Sequence, residues 1–260
     1  MKPLPRIMVA PNGARLTQKD HPNVPVTIPE IVQTTMDCIA VGADGLHAHV
    51  RDESQQHVLD AGLYKELLAE LRPKVPSTFM LQITTEAMGR YTPAAQRALV
   101  EEVHPEAVSI AVREMTVGED DRTLRRFYND CHEAGIAVQH ILYDVADVRA
   151  LAGMVASGTV PKVGLQALIV LGRYSAGQTS SVLDLGAPAV ALLSTLPHVD
   201  WAVCAFGAYE TDCLLAARSL GGKARIGFEN NRMNQDLSCA SSNAERVAEL
   251  ADAMGVARAA

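Results

Sequence analysis

Hydrophobic and polar residues follow two alternating patterns along this chain. Short runs of aliphatic and β-branched residues, typical of buried strands, recur at intervals of about 32 residues. Between them, apolar residues recur every three or four positions, as in amphipathic helices. The eight runs predicted to form strands are Ile7–Asn12, Gly45–Val50, Phe79–Thr85, Ala107–Val112, Ile136–Tyr143, Leu165–Leu171, Trp201–Phe206 and Ala224–Phe228.

The intervening stretches predict eight helices. The first begins after Thr27, a typical N-cap residue that precedes Pro29 and Glu30 in the first turn. The others are predicted near Ala61–Arg72, Pro93–Val103, Asp121–Ala134, Ala146–Ser157, Val182–Leu196, Glu210–Leu220 and Asn243–Met254.

This alternation indicates the fold class. Strands that alternate with helices pair in parallel through right-handed crossovers. Eight such units predict an α/β fold, a (β/α)8 TIM barrel formed as a single domain by residues 1–260. The alternative is a doubly wound open sheet that binds a dinucleotide. The segment after the first run reads Asn12-Gly13-Ala14-Arg15, without the glycine pattern of a dinucleotide loop, which disfavours that alternative.

Composition restricts the class of protein. Hydrophobic residues make up 48% of the chain, enough for a large core, which excludes a disordered protein. The net charge of −7 argues against a nucleic-acid partner or an anionic membrane surface. No apolar run approaches the roughly 18 to 20 residues of a membrane span. The five cysteines are an odd number without a C-x-x-C pair, so we expect reduced thiols in a cytoplasmic protein.

Reactive side chains collect at the ends of the predicted strands, where TIM barrels carry their active sites. His47 and His49 are two positions apart on the second strand, so both imidazoles project from one face. Two neighbouring imidazoles suit a divalent metal, most of all zinc. The alternative is one hydrogen-bonded core histidine beside an incidental neighbour. His140, on the fifth run, is either a fourth ligand or a core residue, and we expect the core position. We expect solvent-facing positions for the histidines of loops and helices: His21, His57, His104, His132 and His198.

Charged and polar residues on two other strands extend this candidate site. Arg225 and Glu229 share the inward face of the eighth run, and buried charges require pairing or coordination. Either they form an ion pair, or Glu229 completes a His2Glu metal site with an open position for substrate. On the third run, Thr84 shares a face with Glu86. Its hydroxyl could bind a substrate oxyanion or be satisfied by the local backbone.

Four segments, in this order, resemble the β-keto acid cleavage enzymes, and the resemblance extends in register along nearly the whole chain. It implies a zinc-dependent (β/α)8 barrel, commonly a homotetramer. Such enzymes condense a β-keto acid with an acyl-CoA, usually acetyl-CoA, to give acetoacetate and a new acyl-CoA. The segments are Pro11-Asn12-Gly13-Ala14, His47-Ala48-His49-Val50-Arg51-Asp52, Gln82-Ile83-Thr84-Thr85-Glu86-Ala87 and Arg225-Ile226-Gly227-Phe228-Glu229-Asn230-Asn231.

The resemblance also implies roles for individual residues. His47, His49 and Glu229 would hold one zinc ion per chain, which would polarise the keto group and stabilise the enolate. Arg225 matches the arginine that works with an acidic partner to activate the substrate. Thr84 occupies the position of a substrate-contacting serine in some members.

One departure from the family concerns the general base. The family often reads Glu-Asp-Asn where this chain has Glu229-Asn230-Asn231, so the acidic partner of the arginine is the amide of Asn230. An amide cannot act as a general base near neutral pH. We therefore expect Glu86 to be the relocated base, with Asp144 and metal-bound water as further candidates. The alternative is that Glu86 only forms an ion pair with Arg90 or Arg113 on the rim.

A second departure concerns the co-substrate. The loop after the seventh run often carries an Arg-His pair in the family, whereas Gly207–Asp212 is neutral and acidic here, which leaves the acyl-CoA co-substrate open. The fifth run lacks the acidic residues of relatives that bind an amino group, which disfavours a cationic substrate. The apolar helical stretch Ala187–Leu196 agrees with a homo-oligomer.

These observations predict a zinc-dependent acyltransferase that cleaves a carbon–carbon bond of a small β-keto acid. A metal-dependent hydrolase of the amidohydrolase type is the second hypothesis, although the sixth run lacks the histidine usual there. The third hypothesis is a relative that binds a metal or small molecule without catalysis.

Overall fold

Eight parallel strands close into a barrel in chain order in this computed structural model, which describes residues 2–256. The barrel closes between the first and last strands, where Met8 pairs with Arg225. The predicted TIM-barrel fold is therefore confirmed. The strands are β1 (Ile7–Val9), β2 (Gly45–Ala48), β3 (Met80–Thr84), β4 (Ala107–Ala111), β5 (Ala137–Leu142), β6 (Gln166–Leu171), β7 (Asp200–Ala205) and β8 (Lys223–Ile226).

All eight predicted helices are present, and a short ninth, α4, directly follows β4 among residues 2–256. The capping box predicted at Thr27 is confirmed, because its hydroxyl accepts from the Glu30 amide and the Glu30 carboxylate accepts from the Thr27 amide. The helices are α1 (Ile28–Ala40), α2 (Ala61–Leu71), α3 (Pro93–Val103), α4 (Val112–Met115), α5 (Asp121–Glu133), α6 (Val145–Ala156), α7 (Leu183–Thr195), α8 (Glu210–Ser219) and α9 (Asn243–Met254).

Strand β8 ends at Ile226, two residues earlier than the pattern predicts. Gly227 has φ +143°, and a methyl group there would overlap the carbonyl oxygen of Ala10, so only glycine fits this position easily. The chain leaves the sheet at this glycine and turns across the barrel mouth. Glu229 therefore lies on a turn above β8 and not on the strand itself.

The apolar core has two layers. The outer layer lies between the strands and the helices and contains most of the buried aliphatic side chains. The inner layer fills the barrel with side chains such as Met8, Met80 and Leu168. His140 lies in the outer layer, with its ring centroid 5.2 Å from that of Tyr128. It is a core residue, as expected, and burial lowers its pKa to about 3.

Toward the carboxyl ends of the strands, the barrel interior contains the buried polar side chains of Gln82, Thr84 and Arg225. This end of the barrel therefore carries the candidate site. Across residues 2–256, no helix combines the length and apolar character that crossing a membrane requires.

Candidate active site

His47 and His49 lie at the end of β2, and both are almost fully buried. Asn12, from the loop after β1, holds the backbone at His49: its amide nitrogen donates to the His49 carbonyl at 2.9 Å, and its oxygen accepts from the His49 N–H at 3.4 Å. The loop that carries Asn12 is held in turn by Arg51, whose guanidinium donates to carbonyl groups of Asn12, Gly13, Ala14 and Leu16. The loop after β1 and the end of β2 thus form one hydrogen-bonded support for the imidazoles.

The ring orientation of His47 is set by a chain of amides. Its Nδ1 lies 2.8 Å from the Oε1 of Gln82, whose amide nitrogen donates to Gln139 at 3.1 Å. Because that Gln82 oxygen can only accept, Nδ1 of His47 carries the proton. Nε2 of His47 therefore presents a lone pair.

The same reasoning applies to His49, whose Nδ1 lies 3.3 Å from the Nδ1 of His57. The Nε2 of His57 lies 3.0 Å from the carbonyl oxygen of Glu86, so His57 donates there. Burial lowers the pKa of His57, so its ring is neutral and its Nδ1 accepts the proton of His49. Nε2 of His49 is thereby also left with a lone pair. The expectation that His57 and His21 face solvent is wrong, because they are 1% and 8% exposed.

Glu229 approaches these two nitrogen atoms from the turn after β8. One carboxylate oxygen, Oε2, lies 3.6 Å from the Nε2 of His47 and 3.7 Å from that of His49. Gly13 makes this approach possible, because a methyl group on its Cα would overlap the Cγ of Glu229. A glycine of the loop after β1 is therefore required by a side chain that comes from the other end of the chain.

The three side chains fit a divalent metal ion. The two Nε2 atoms are 3.1 Å apart, and tetrahedral zinc with bonds of about 2.0 to 2.1 Å separates its ligand atoms by roughly 3.3 to 3.4 Å. Burial holds the pKa of both imidazoles well below the usual range, so both are neutral, as metal ligands must be. Oε2 of Glu229 is buried without a hydrogen-bond partner among the described residues. His47, His49 and Glu229 thus converge on one point, which a cation would occupy.

Arg225 is buried beside this cluster. Its Nη2 donates to Glu229 at 3.2 Å and to the thiol sulfur of Cys204 at 3.3 Å. The ion pair considered for Glu229 is therefore present: one oxygen pairs with Arg225, while the other faces the imidazoles. The Nε and Nη1 donors of Arg225 have no partner within residues 2–256, although both are buried. Such donors require an acceptor, which a bound carboxylate would provide.

A small pocket opens from this cluster into the barrel. Thr84 lies on its wall, and its hydroxyl accepts from the Glu86 amide at 3.0 Å, as in the alternative of a locally satisfied hydroxyl. Its hydroxyl proton remains available for a ligand. The opposite walls are apolar and come from four different strands or strand ends: Ala111, Ile141, Val170 and Phe206.

Glu86 also lines this pocket, and it pairs with a partner that the sequence did not indicate. Its carboxylate accepts from Arg173, on the loop after β6, at 3.1 Å. The two rim arginines expected as alternatives make other contacts: Arg90 donates to the backbone carbonyl of His57, and Arg113 pairs with Asp144 at the start of α6. The proposed ion pair with Arg90 or Arg113 is wrong.

A wider cleft of about 240 Å³ leads from the pocket to the surface. Asn230 lines it and is buried, but neither its amide nitrogen nor its oxygen has a partner in the part of the chain that the structure describes. Three cationic side chains surround the cleft, and each comes from a different loop: Arg15, Arg173 and Arg232. The cleft thus offers an uncommitted amide and positive charge to an incoming ligand.

Two residues of this site escape analysis of the sequence. His57 follows an irregular loop, and Arg173 follows Gly172 after β6, where no motif marks either of them. Its position could have indicated Arg173, because this residue lies just beyond the carboxyl end of β6. Gln82 belonged to a recognised motif, but its contact with His47 depends on the register between β2 and β3, which pairs these two residues.

Comparison with known proteins gives a consistent result. The sequence model of the beta-keto acid cleavage enzyme family matches residues 6–259. The 3-keto-5-aminohexanoate cleavage enzyme of Fusobacterium nucleatum is 26% identical over 253 residues, which cover 94% of this chain and 89% of the relative. The 3-oxoadipate:acetyl-CoA acetyltransferase of Cupriavidus necator is 23% identical and covers 94% of this chain and 86% of the relative.

Solved structures support the fold. The complex of ObcA with oxaloacetate superposes with a TM-score of 0.72 at 15% identity, over 90% of this chain and 64% of that chain. This chain therefore spans less than two thirds of ObcA. The type I 3-dehydroquinate dehydratase of Clostridium difficile superposes with a TM-score of 0.61 at 13% identity, over 98% of this chain and 92% of that chain.

Proposed function

Because the chain belongs to the beta-keto acid cleavage enzyme family, we propose that it condenses a small β-keto acid with acetyl-CoA in a zinc-dependent reaction. The products are acetoacetate and a new acyl-CoA, so the enzyme is an acyltransferase that breaks the bond between C2 and C3 of the β-keto acid. One observation carries the proposal. The nitrogen and oxygen atoms of His47, His49 and Glu229 converge beside Arg225, whose buried Nε and Nη1 donors have no acceptor among residues 2–256.

His47, His49 and Glu229 would hold the metal. When bound, zinc would act as a Lewis acid that polarises the keto group and stabilises the enolate. Three protein ligands leave a coordination position for substrate, which is the pattern of catalytic rather than structural zinc.

The protein side chains bind and orient the substrate. The free Nε and Nη1 donors of Arg225 would bind the substrate carboxylate, and the hydroxyl of Thr84 would donate to a substrate oxygen. Asn230 would hydrogen-bond the ligand from the outer side, with an amide that has no other partner among residues 2–256. Glu86 would take the proton from C2, because it is the carboxylate that lines both the inner pocket and the outer cleft without facing the metal ligands directly.

The inner pocket indicates the substrate side chain. Its apolar walls are formed by Ala111, Ile141 and Val170. The carboxylates that line it are already engaged: Glu86 pairs with Arg173, Glu229 pairs with Arg225, and Glu114 accepts from the Ala87 amide and from Gln96. A short, uncharged aliphatic substituent at C3 would bury its apolar surface there, whereas an ammonium group would find no free carboxylate partner. We therefore propose a short aliphatic β-keto acid as the substrate.

The outer cleft supports an acyl-CoA as co-substrate. The loop after β7 lacks basic residues, and its Glu210 is buried in an ion pair with Arg246. Since Arg173 is paired with Glu86, the positive charge at the cleft comes instead from Arg15 and Arg232. These arginines would attract the phosphate groups of coenzyme A. The name of the Cupriavidus necator relative, an acetyl-CoA acetyltransferase, agrees with this co-substrate.

The experiment is a substrate panel with the zinc-loaded protein and acetyl-CoA. Acetoacetate and the new acyl-CoA are measured in the same reaction, with 3-oxopentanoate and 3-oxohexanoate compared against 3-oxoadipate and an amino-substituted β-keto acid. We expect equimolar amounts of the two products, formed fastest from the uncharged acids. Hydrolysis of a substrate without coenzyme A would support the amidohydrolase hypothesis, and zinc binding without any turnover would support the non-catalytic one.

A further inference from the structure

His57 reaches the candidate metal site from a short hairpin that follows β2. The backbone N–H of Asp52 donates to the Gln56 carbonyl at 2.9 Å, and Arg51 and His57 form an antiparallel bridge. Gln55 has φ +64° at the tip of this turn. The hairpin turns the chain back on itself, so His57 packs against His49, with ring centroids 4.9 Å apart.

The two hydrogen bonds of His57 run in one direction. A carbonyl oxygen only accepts, so His57 donates from Nε2 to the Glu86 carbonyl. A hydrogen bond between the Nδ1 atoms of His57 and His49, 3.3 Å apart, requires a proton on one of them. With the proton of His57 placed on Nε2, that proton belongs to His49, and Nδ1 of His57 is the acceptor. His49 keeps its other lone pair on Nε2, the atom that faces His47 and Glu229. The tautomer of His49 is therefore imposed from the Glu86 backbone through one intermediate ring.

We infer that His57 is a positioning residue that orients His49 as a metal ligand and fixes Nε2 as its ligating atom. This inference rests on the proposed zinc site. In metal centres, a hydrogen bond to the second nitrogen of a ligating histidine orients the ring and increases its basicity. His47 receives this support from Gln82, so the two ligands have different supporting groups: an amide for His47 and a third imidazole for His49.

The same residue connects the metal ligand to the proposed base. His57 donates to the backbone carbonyl of Glu86, and its own carbonyl accepts from Arg90. The loop that carries Glu86 and the ring of His49 are thus held at opposite nitrogens of one buried side chain. A substitution that removes His57 would release both.

Two variants separate the hydrogen bonds of His57 from its packing. In His57→Gln, the amide oxygen accepts from His49 and the amide nitrogen donates to Glu86, so both bonds can be remade. In His57→Leu, neither bond is possible, although the side chain remains large and buried. His140→Leu is the matched control, because His140 is equally buried but lies in the outer layer of the barrel.

The primary readout is zinc affinity, measured on the folded proteins by competition with a chromogenic chelator. We expect His57→Leu to weaken zinc binding about 10- to 100-fold. His57→Gln should recover most of that loss, and His140→Leu should bind zinc like the wild type. Equal weakening in His57→Leu and His57→Gln, or wild-type affinity in His57→Leu, would overturn the inference. A wild-type protein that binds no zinc would instead overturn the proposed function together with it.

A second measurement does not require that His57→Leu folds. Long-range ¹H–¹⁵N correlation spectra of the zinc-loaded wild type, with ¹⁵N-labelled histidine, report the tautomer of each ring. The His57 signals are assigned by their loss in His57→Gln. We expect the proton of His57 on Nε2 and the proton of His49 on Nδ1. A proton on Nδ1 of His57, or on both of its nitrogens at pH 7.5, would contradict the inferred direction of these two hydrogen bonds.

Discussion

The Nε2 atoms of His47 and His49 lie 3.1 Å apart, and the hydrogen bonds at their Nδ1 atoms leave each with a lone pair. Two lone pairs at this distance repel each other, and a carboxylate oxygen 3.6 to 3.7 Å away adds negative charge. A cation between them would convert this repulsion into coordination. The arrangement therefore supports the proposed metal site.

Replacing His49 by Ala should remove one of the three ligands and the metal with it. We expect the zinc content to fall from about one equivalent per chain to background, since two remaining ligands bind zinc weakly. Elemental analysis and the acetoacetate assay measure the two effects, and circular dichroism should show that the barrel remains folded. Retention of a full equivalent of zinc in His49→Ala would show that the metal lies elsewhere.

Gly13→Ala tests whether the glycine of the first loop is needed for the position of Glu229. The added methyl group would overlap the Cγ of Glu229, so we expect weaker zinc binding as well as a loss of stability. Gly89→Ala is the matched control, because Gly89 has a similar positive φ but no neighbouring atom within 4 Å of the added methyl group.

Both variants should lose about 1 kcal/mol from left-handed strain, as measured by denaturant unfolding. Only Gly13→Ala should also lose zinc affinity. Equal zinc affinity in the two variants would show that Glu229 can move aside without cost to the site.

Glu86→Gln tests the proposed base. The amide keeps the size of the side chain but cannot accept the C2 proton, so kcat should fall on the order of 100-fold while zinc content stays unchanged. Glu114→Gln is the control, because Glu114 lines the same pocket and its carboxylate already accepts from the Ala87 amide and from Gln96. A Glu86→Gln enzyme with near-wild-type kcat would direct attention to Asp144 and to a metal-bound water.

The burial of His140 should make the free energy of unfolding depend on pH. Its pKa is lowered to about 3 by burial in the folded protein, whereas an imidazole in the unfolded chain titrates near 6.5. Below pH 6.5 the unfolded chain therefore binds a proton that the folded chain excludes. The free energy of unfolding should decrease by up to about 1.4 kcal/mol per pH unit as the pH falls toward 3.

Denaturant unfolding at pH 7 and pH 5 measures this difference. In His140→Leu the decrease should be smaller by about 2 kcal/mol, whereas the exposed His198→Leu should behave like the wild type. The same decrease in His140→Leu and the wild type would rule out His140 as its source.

The exposed face of α7 agrees with the expected homo-oligomer. Leu183 is 89% exposed and Val190 is 69% exposed, which leaves more apolar surface in contact with water than is usual for an outer helix. We expect light scattering to give a mass several times that of the 27.8 kDa chain, about fourfold for a tetramer. Leu183→Glu should shift the mass downward, while a monomeric wild type would contradict the expectation.

The sequence by itself determined the fold and half of the candidate site. Eight alternations of strand and helix specify a barrel, because parallel strands with right-handed crossovers have few ways to close. The two-residue period of β2 places His47 and His49 on one face, and this relationship depends only on local backbone geometry. The capping box at Thr27 is predictable for the same reason, since both of its hydrogen bonds span only three residues.

The contacts that make the site functional were decided by the tertiary structure. Glu229 reaches the imidazoles from a turn that Gly227 starts, and Gly13 must be small because Glu229 lies over it. His57 reaches His49 through a local hairpin, but the contacts of Glu86 with Arg173 and with His57 join parts of the chain 87 and 29 residues apart and form only when the strands have paired. No local pattern encodes contacts at such distances along the chain. Barrel closure and loop packing bring these residues together.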